Sequence, residues 1–447
     1  MDSDFGNTLV ALALVIVLGL SIRLYALLVL KPQRLRTLLR RQGIRGPPVS
    51  FLIENISEIK KSQLTAEKPL WGEHPASHDS AALLFPSFEQ WRVRCERGPL
   101  VGWGILTFNG CAWAHQRKII APELFMDKVK GLIPLITEST VTLLESWKRR
   151  TETEGGTADV KIDHHMRSFS ADVISRACFE SNFSRGEDIF HKLRQLQEAM
   201  AKNYLHIFPP RATEAWALEK EVRSLILRVV KERKEATGKK NLLQMVLEGT
   251  KNSDLSPCGT NSFIVDNCKN IHLVGYETTA VSATRCLMLL ASNPEWKTRV
   301  RTGVLQICGN RFPDADMLCR MKQLIMVIQE SLCPYPLVAV VSREALKDTK
   351  PGDIQVPRGV HAWIMVTTLH TDPEIWGPDT YKFNPHRFER DCRRLQASTS
   401  VHAIRVVLCN FAFCLSTKYT RSPALRLVIE PEHGVDLQVR KLEAMPL

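Results

Sequence analysis

No two of the chain's 12 cysteines stand at the two-residue spacing of a zinc knuckle or a redox pair, and the nearest neighbours are Cys409 and Cys414. That spacing argues against structural zinc and dithiol redox chemistry, and thiols scattered singly suit a reducing cytosolic face. There is no internal repeat and no low-complexity segment. Acidic residues are the minority sign: 47 Asp and Glu stand against 60 Lys and Arg in 447 residues, a formal net charge of +13. An excess of that size favours an anionic membrane surface, an acidic protein or nucleic acid. The basic residues are spread along the chain without zinc-finger spacing, which sets nucleic acid aside.

What is present is apolar material: 44% of the residues are hydrophobic, ample for one large body or two ordinary ones. One run differs from the rest. From Thr8 to Leu30 the sequence is broken only by Arg23, near one end, where its side chain can snorkel. About 20 such residues span a bilayer core as a helix, so residues 1–30 read as an anchor, the alternatives being a removed signal or a buried core helix. Lys31, Arg34, Arg36, Arg40 and Arg41 follow the run while Asp2 and Asp4 precede it, a bias that puts the downstream body in the cytosol. Residues 31–50 form a basic hinge ending in Gly46-Pro47-Pro48, and residues 51–447 form the body.

The body reads as mainly α with small β-sheets (α+β). Amphipathic patterns run through Lys128–Arg150, Ala171–Phe179, Phe190–Tyr204 and Trp216–Glu235. Strand signals come late, at Val338–Arg343 and Val360–Thr368, and Leu425–Val439 alternates like a terminal hairpin. The longest helical candidate opens after the breakers Ser256–Ser262 and runs to Asn293, where Pro294 stops it. Its middle carries Gly275-Tyr276-Glu277-Thr278-Thr279 between apolar turns. A glycine costs a helix about 1 kcal/mol and a dry acid costs more, so this cluster needs either a solvated face or a task.

Other groups stand in order around that helix. Trp113 and Arg117 lie four apart on a helical stretch, a spacing that also suits a plain packing pair. Glu330 opens Glu330-Ser331-Leu332-Cys333, Arg343 sits in Val341-Ser342-Arg343-Glu344-Ala345, and Phe383-Asn384-Pro385-His386-Arg387-Phe388 follows. Taken in this order, with the anchor and the Pro-rich hinge, the chain resembles the cytochrome P-450 family over nearly its whole length. Its texture is nearest to plant hormone- and terpenoid-oxidising members, including those that modify gibberellins.

The resemblance implies the family fold and haem-dependent monooxygenation of an apolar small molecule. Dioxygen would be the oxidant, with electrons from an NADPH-cytochrome reductase partner at the endoplasmic reticulum membrane. It implies a proton relay through Glu277 and Thr278, and a close approach of ligand and haem at Gly275. Trp113, Arg117 and Arg343 would bind the haem propionates, and Glu330 with Arg387 would form a structural network. It also exposes three departures. The family's ligand loop, F-x-x-G-x-R-x-C-x-G, should follow Phe388, yet the chain has no glycine between Gly377 and Gly434. Cys392, Cys409 and Cys414 are the nearby thiols, and none is named as an iron ligand; Cys409 and Cys414 fall in an apolar run that reads as a strand. The Arg that should pair with Glu330 is Cys333, and a thiol cannot form that charged network. The stretch Arg92–Trp113 is too short for the family's first sheet and substrate-gating helix. Internal losses near 92–113 and 389–410 follow, and with them a second reading: a membrane-anchored, haem-free, non-catalytic remnant or aberrant gene product.

Overall fold

The computed structural model describes residues 2–44, 104–107, 110–179, 183–203, 212–235, 242–251, 257–309, 311–389, 398–426 and 428–442. Two compact units divide the chain: residues 1–68 with 342–363, and residues 69–341 with 364–447. The first unit holds α1 (Asp2–Tyr25), one π-helical turn over Ala26–Leu30, and α2 (Lys31–Arg41), so the expected basic hinge begins as a helix. Gly46-Pro47-Pro48 lie outside the described residues. The apolar side chains of α1 that are described, Leu12 and Leu14–Val17 among them, are exposed. Among the described residues no helix is long and apolar enough to cross a membrane.

In the second unit come α3 (Gly110–Ile120), a short helix Met126–Gly131, and α4 (Ile133–Thr153). The single pattern expected over Lys128–Arg150 is thus two helices, because Pro134 starts a new one just past Gly131. Strand β1 (Thr157–Lys161) leads into α5 (Ile162–Phe179), α6 (Phe183–Asn203), α7 (Ala212–Glu235) and α8 (Leu242–Lys251). Next is the central helix α9, Pro257–Ser292, whose 36 residues correspond to about 54 Å at 1.5 Å per residue. It opens earlier than its breakers suggest, since a proline is tolerated in the first helical turn. Pro294 then starts α10 (Pro294–Cys308), and α11 (Lys322–Ser331) follows.

The strands β2 (Val340–Glu344) and β3 (His361–Met365) pair as a two-stranded sheet, and the chain turns helical at Val366 rather than extending to Thr368. The last helix, α12 (Ser398–Asn410), corrects the strand expected around Cys409: that residue is helical, and only Cys414 lies in a strand, β4 (Phe411–Leu415). An unbroken apolar run does not distinguish a buried helix from a buried strand, which is why the pattern misled. The expected closing hairpin is also divided. β5 (Pro423–Arg426) pairs antiparallel with β6 (Val428–Pro431), while β7 (Asp436–Lys441) leaves them at Gly434, φ +79°, to become the middle strand between β1 and β4.

Two apolar clusters make the core, and α9 runs through both. Its first half, with Ile264, Val265 and Leu273, packs with Leu193, Leu196, Val222 and Val246 of α6, α7 and α8. Its second half, with Leu287 and Leu290, packs with Trp147 of α4, Phe169 of α5, Val327 of α11 and Ile404 of α12. The polar signature at residues 275–279 falls between them.

Candidate functional site

The signature turn splits into two directions. Glu277 is almost wholly buried and turns toward two guanidiniums, Arg167 Nε of α5 at 3.6 Å and Arg194 Nη1 of α6 at 3.4 Å. Thr278 is half-buried, and its hydroxyl donates to the Val274 carbonyl one turn back at 2.5 Å. Val274 itself is 46% exposed, so α9 leaves one narrow face open in the middle of an otherwise packed helix. The two residues assigned to a common relay therefore lie on different faces. Gly275 serves close helix packing: a Cβ there would come within 2.3 Å of Ile174 Cδ1 on α5. Beside it, Ser170 of α5 donates to the carbonyls of Gly275 and Tyr276 at 3.0 Å.

A second carboxylate decides how Glu277 behaves. Glu430 of β6, fully buried, takes the arginines' short contacts: Arg167 at 2.5 Å, Arg194 at 2.6 Å and Arg426 at 2.8 Å. Burial alone would raise Glu430, but the Arg194 hydrogen bond and the charges of Arg167, Arg194 and Arg426 outweigh it and hold its carboxyl below the usual range. Glu277 keeps the longer contacts, and its Oε2 has no hydrogen-bond partner. Burial there wins over Arg167 and Arg194, and its carboxyl is pushed up. Reading the sequence missed Arg167, Arg194 and Glu430, because partners 83 to 263 residues apart in the chain leave no local pattern.

Trp113 and Arg117 on α3 are both exposed and stack on each other, the guanidinium carbon 5.4 Å from the ring centroid. This is the geometry of the packing pair. Arg343 on β2 is exposed, and its Nη1 donates to the neighbouring Ser342 carbonyl at 2.9 Å.

Glu330 and Arg387 do form a network. Arg387 Nε meets Glu330 Oε2 at 2.9 Å, and the Asn384 backbone N–H donates to Oε1 at 2.8 Å. The remaining Arg387 donors reach the carbonyls of Trp376, Asp379 and Lys382 at 3.1–3.2 Å. Cys333 lies buried nearby, its thiol leaning on the Gln329 carbonyl at 3.8 Å, and burial with the charge of Glu330 pushes it up to about 12. It adds no charge to the network. Burial therefore pushes Glu330 up to about 7, against the opposing pull of the Asn384 N–H and Arg387. A carboxyl raised in the folded state keeps a proton that the unfolded chain has released above about 4.5. Its contribution is complete below that pH and fades as pH rises toward 7. The unfolding free energy of the chain should fall over this window relative to Glu330→Gln; an equal change in urea-derived unfolding free energy from pH 5 to 7 in both proteins would sink the assignment.

Among the described residues no cysteine has a donor set that fits an iron thiolate. A ligand cysteine needs backbone N–H groups aimed at sulfur. Cys409 lies near the end of α12, half-buried, with burial pushing its thiol up. Cys414 faces Gln438 across the β4–β7 ladder, Sγ to Oε1 3.8 Å. Cys392 lies outside the described residues, and among those described no group of three or more His, Cys, Asp or Glu could hold a metal ion.

The cytochrome P450 family model matches residues 89–402. The chain belongs to the cytochrome P450 family. Cytochrome P450 714C2 of Oryza sativa subsp. japonica is 40% identical over 496 aligned positions, covering 94% of this chain and 95% of the relative. Cytochrome P450 714B3 of Zea mays is 38% identical over 513 positions, covering 98% and 97%. Cytochrome P450 714A2 of Arabidopsis thaliana is 34% identical over 529 positions, covering 98% and 100%. Membership in this family implies a haem monooxygenase. Every one of these alignments is longer than the 447-residue chain itself, so each relative carries segments that this chain lacks.

Proposed function

We propose that this chain is a membrane-anchored cytochrome P450 that keeps the family's helical body without holding haem through a cysteine, and is therefore non-catalytic as a monooxygenase. One observation carries the reading. Between the Phe383–Phe388 motif and α12 stand only residues 389–397, a segment shorter than the family's ligand motif and free of glycine. Trp113, Arg117 and Arg343 do not substitute for the ligand, since propionate contacts worth about 1.5–3 kcal/mol each leave the iron without its axial sulfur.

The experiment is the carbon monoxide difference spectrum of the reduced, purified full chain reconstituted with haem. The expected result is no long-wavelength Soret band of the thiolate complex. A clear band of that kind, abolished by Cys392→Ser, Cys409→Ser or Cys414→Ser, would overturn the proposal.

The open face of α9 at Val274 and Thr278 favours a second reading, an active enzyme with a rebuilt ligand. It would hydroxylate or epoxidise an apolar plant hormone or terpenoid, gibberellin-like in class, with dioxygen and electrons from an NADPH-cytochrome reductase. Either reading places the chain in the endoplasmic reticulum membrane as a single-pass protein with its body in the cytosol. The apolar run Thr8–Leu30, the exposed apolar side chains of α1 and the basic residues after it support that placement.

A further inference from the structure

A cavity of about 970 Å³ opens between α10 and the outward face of the β1–β7–β4 sheet. Its volume sits at the upper end of the range of about 300–1,000 Å³ usual for small-molecule sites. Sixteen residues line it, and none is Asp or Glu, whereas Lys297, Arg301, Arg440 and Lys441 all do.

The four cations are not equivalent. Lys297 is spent on the sheet: its ammonium donates to the Phe413 carbonyl at 2.6 Å and lies 5.0 Å from the Phe413 ring centroid. Lys441 is paired with Glu152 at 2.8 Å. Arg301, one turn along α10 from Lys297, and Arg440 on β7 have no carboxylate within ion-pair distance among the described residues. Two guanidiniums with open donor forks on opposite walls suit a single anionic group such as a carboxylate, sulfonate or phosphate.

Beside Thr157, Thr298, Thr302 and Gln438, the lining has an apolar part that includes Leu305, Leu408 and Ala412. Along α10, Leu305 follows Arg301 by one turn, and on the sheet Ala412 stands directly across from Arg440. A charged group held between the arginines would lay its body along Leu305 and Ala412. We propose that this groove binds a small amphipathic anion, its charged end between Arg301 and Arg440 and its apolar body on Leu305 and Ala412. The site lies apart from the signature turn and does not depend on whether the chain holds haem.

Cys414 supplies the readout, since its thiol is exposed on the cavity wall while Cys111 and Cys319 are exposed elsewhere. Alkylation of the full-length chain by N-ethylmaleimide, followed by peptide mass spectrometry, reports each thiol separately. Millimolar naphthalene-2-sulfonate should slow the modification of Cys414 several-fold and leave Cys111 and Cys319 unchanged. Arg301→Glu with Arg440→Glu should abolish the protection, and the paired Gln variants should weaken it by about tenfold in probe concentration, the equivalent of losing one to two charged contacts. Neither arginine has an ion-pair partner among the described residues, so these changes should leave the fold intact, which circular dichroism checks. Protection that persists in the double-Glu variant would overturn the proposal, as would equal protection by neutral 2-naphthol or by inorganic phosphate. So would no protection at all in the unmodified chain.

Discussion

Arg194→Ala should lower the unfolding free energy by about 3–5 kcal/mol, the usual cost of removing one partner from a buried charged network. Arg194 contacts Glu277, Glu430 and Glu198, and two of those carboxylates are essentially inaccessible to water. Without it, Glu277 keeps only the 3.6 Å contact to Arg167, and Glu430 loses its Arg194 hydrogen bonds of 2.6 and 3.0 Å. The natural comparison is Arg150→Ala. Arg150 meets Glu154 at 2.9 Å, as closely as many buried pairs, but both side chains are more than 40% exposed. An exposed pair of that kind contributes about 0–1 kcal/mol. Urea midpoints of the two variants should therefore differ widely. Equal midpoints would show that Arg194 is screened and that the network holds nothing together. Pairing Arg194→Ala with Glu277→Gln should recover part of the loss, because Glu430 keeps Arg167 and Arg426 while Glu277 is the charge left with one long contact.

The sequence anticipated this network only in part. A glycine, an acid and two threonines inside apolar helical turns demand an enclosed partner, and Glu277 has one. Which partner was not legible, since Arg167, Arg194 and Glu430 come from α5, α6 and β6 and meet only when those elements pack. The spacing of Trp113 and Arg117 was legible as a helical neighbour pair, and that is the geometry they adopt. What spacing could not supply was exposure: both side chains stand open to solvent in the fold.

Fold legibility followed the same physics. Helices with clear breakers, such as α7 ending near Glu235 and α9 ending before Pro294, stood out in the sequence. The segment Val406–Leu415 did not, because it is apolar throughout: helix and strand place such a run equally well in a core until packing chooses. Here α12 lies against α4, α9 and α10 and buries Val401, Ile404, Val407 and Leu408, and the chain becomes extended only at Phe411. Glu330 shows the reverse case. The loss of its expected arginine at Cys333 was plain in the sequence. That Arg387 and the Asn384 N–H would between them occupy both carboxylate oxygens required the folded meander.

Arg285→Met should raise the unfolding free energy by about 1–4 kcal/mol, the gain seen when buried charged groups give way to apolar side chains of similar volume. Arg285 stands in the apolar second half of α9, 2% exposed, and its Nε and Nη2 have no hydrogen-bond partner. Burial pulls its guanidinium down from the usual arginine range; Tyr335 and Tyr419 oppose this, while the like charge of Arg421 adds to it. Two contacts work in its favour. The guanidinium carbon lies 4.2 Å from the Tyr335 ring centroid, and Nη1 reaches Met288 Sδ at 3.7 Å. A desolvated cation–π contact contributes about 2 kcal/mol, whereas each buried donor left unsatisfied costs about 1–3 kcal/mol, more when charged. Two such donors outweigh the ring, and a methionine keeps a polarizable contact with it through sulfur. The urea midpoint of the detergent-solubilised variant should therefore move up at unchanged slope. A fall of more than about 1 kcal/mol, against the usual scatter of surface changes, would mean that the Tyr335 stack dominates and that this cation is held by its ring rather than stranded in the core.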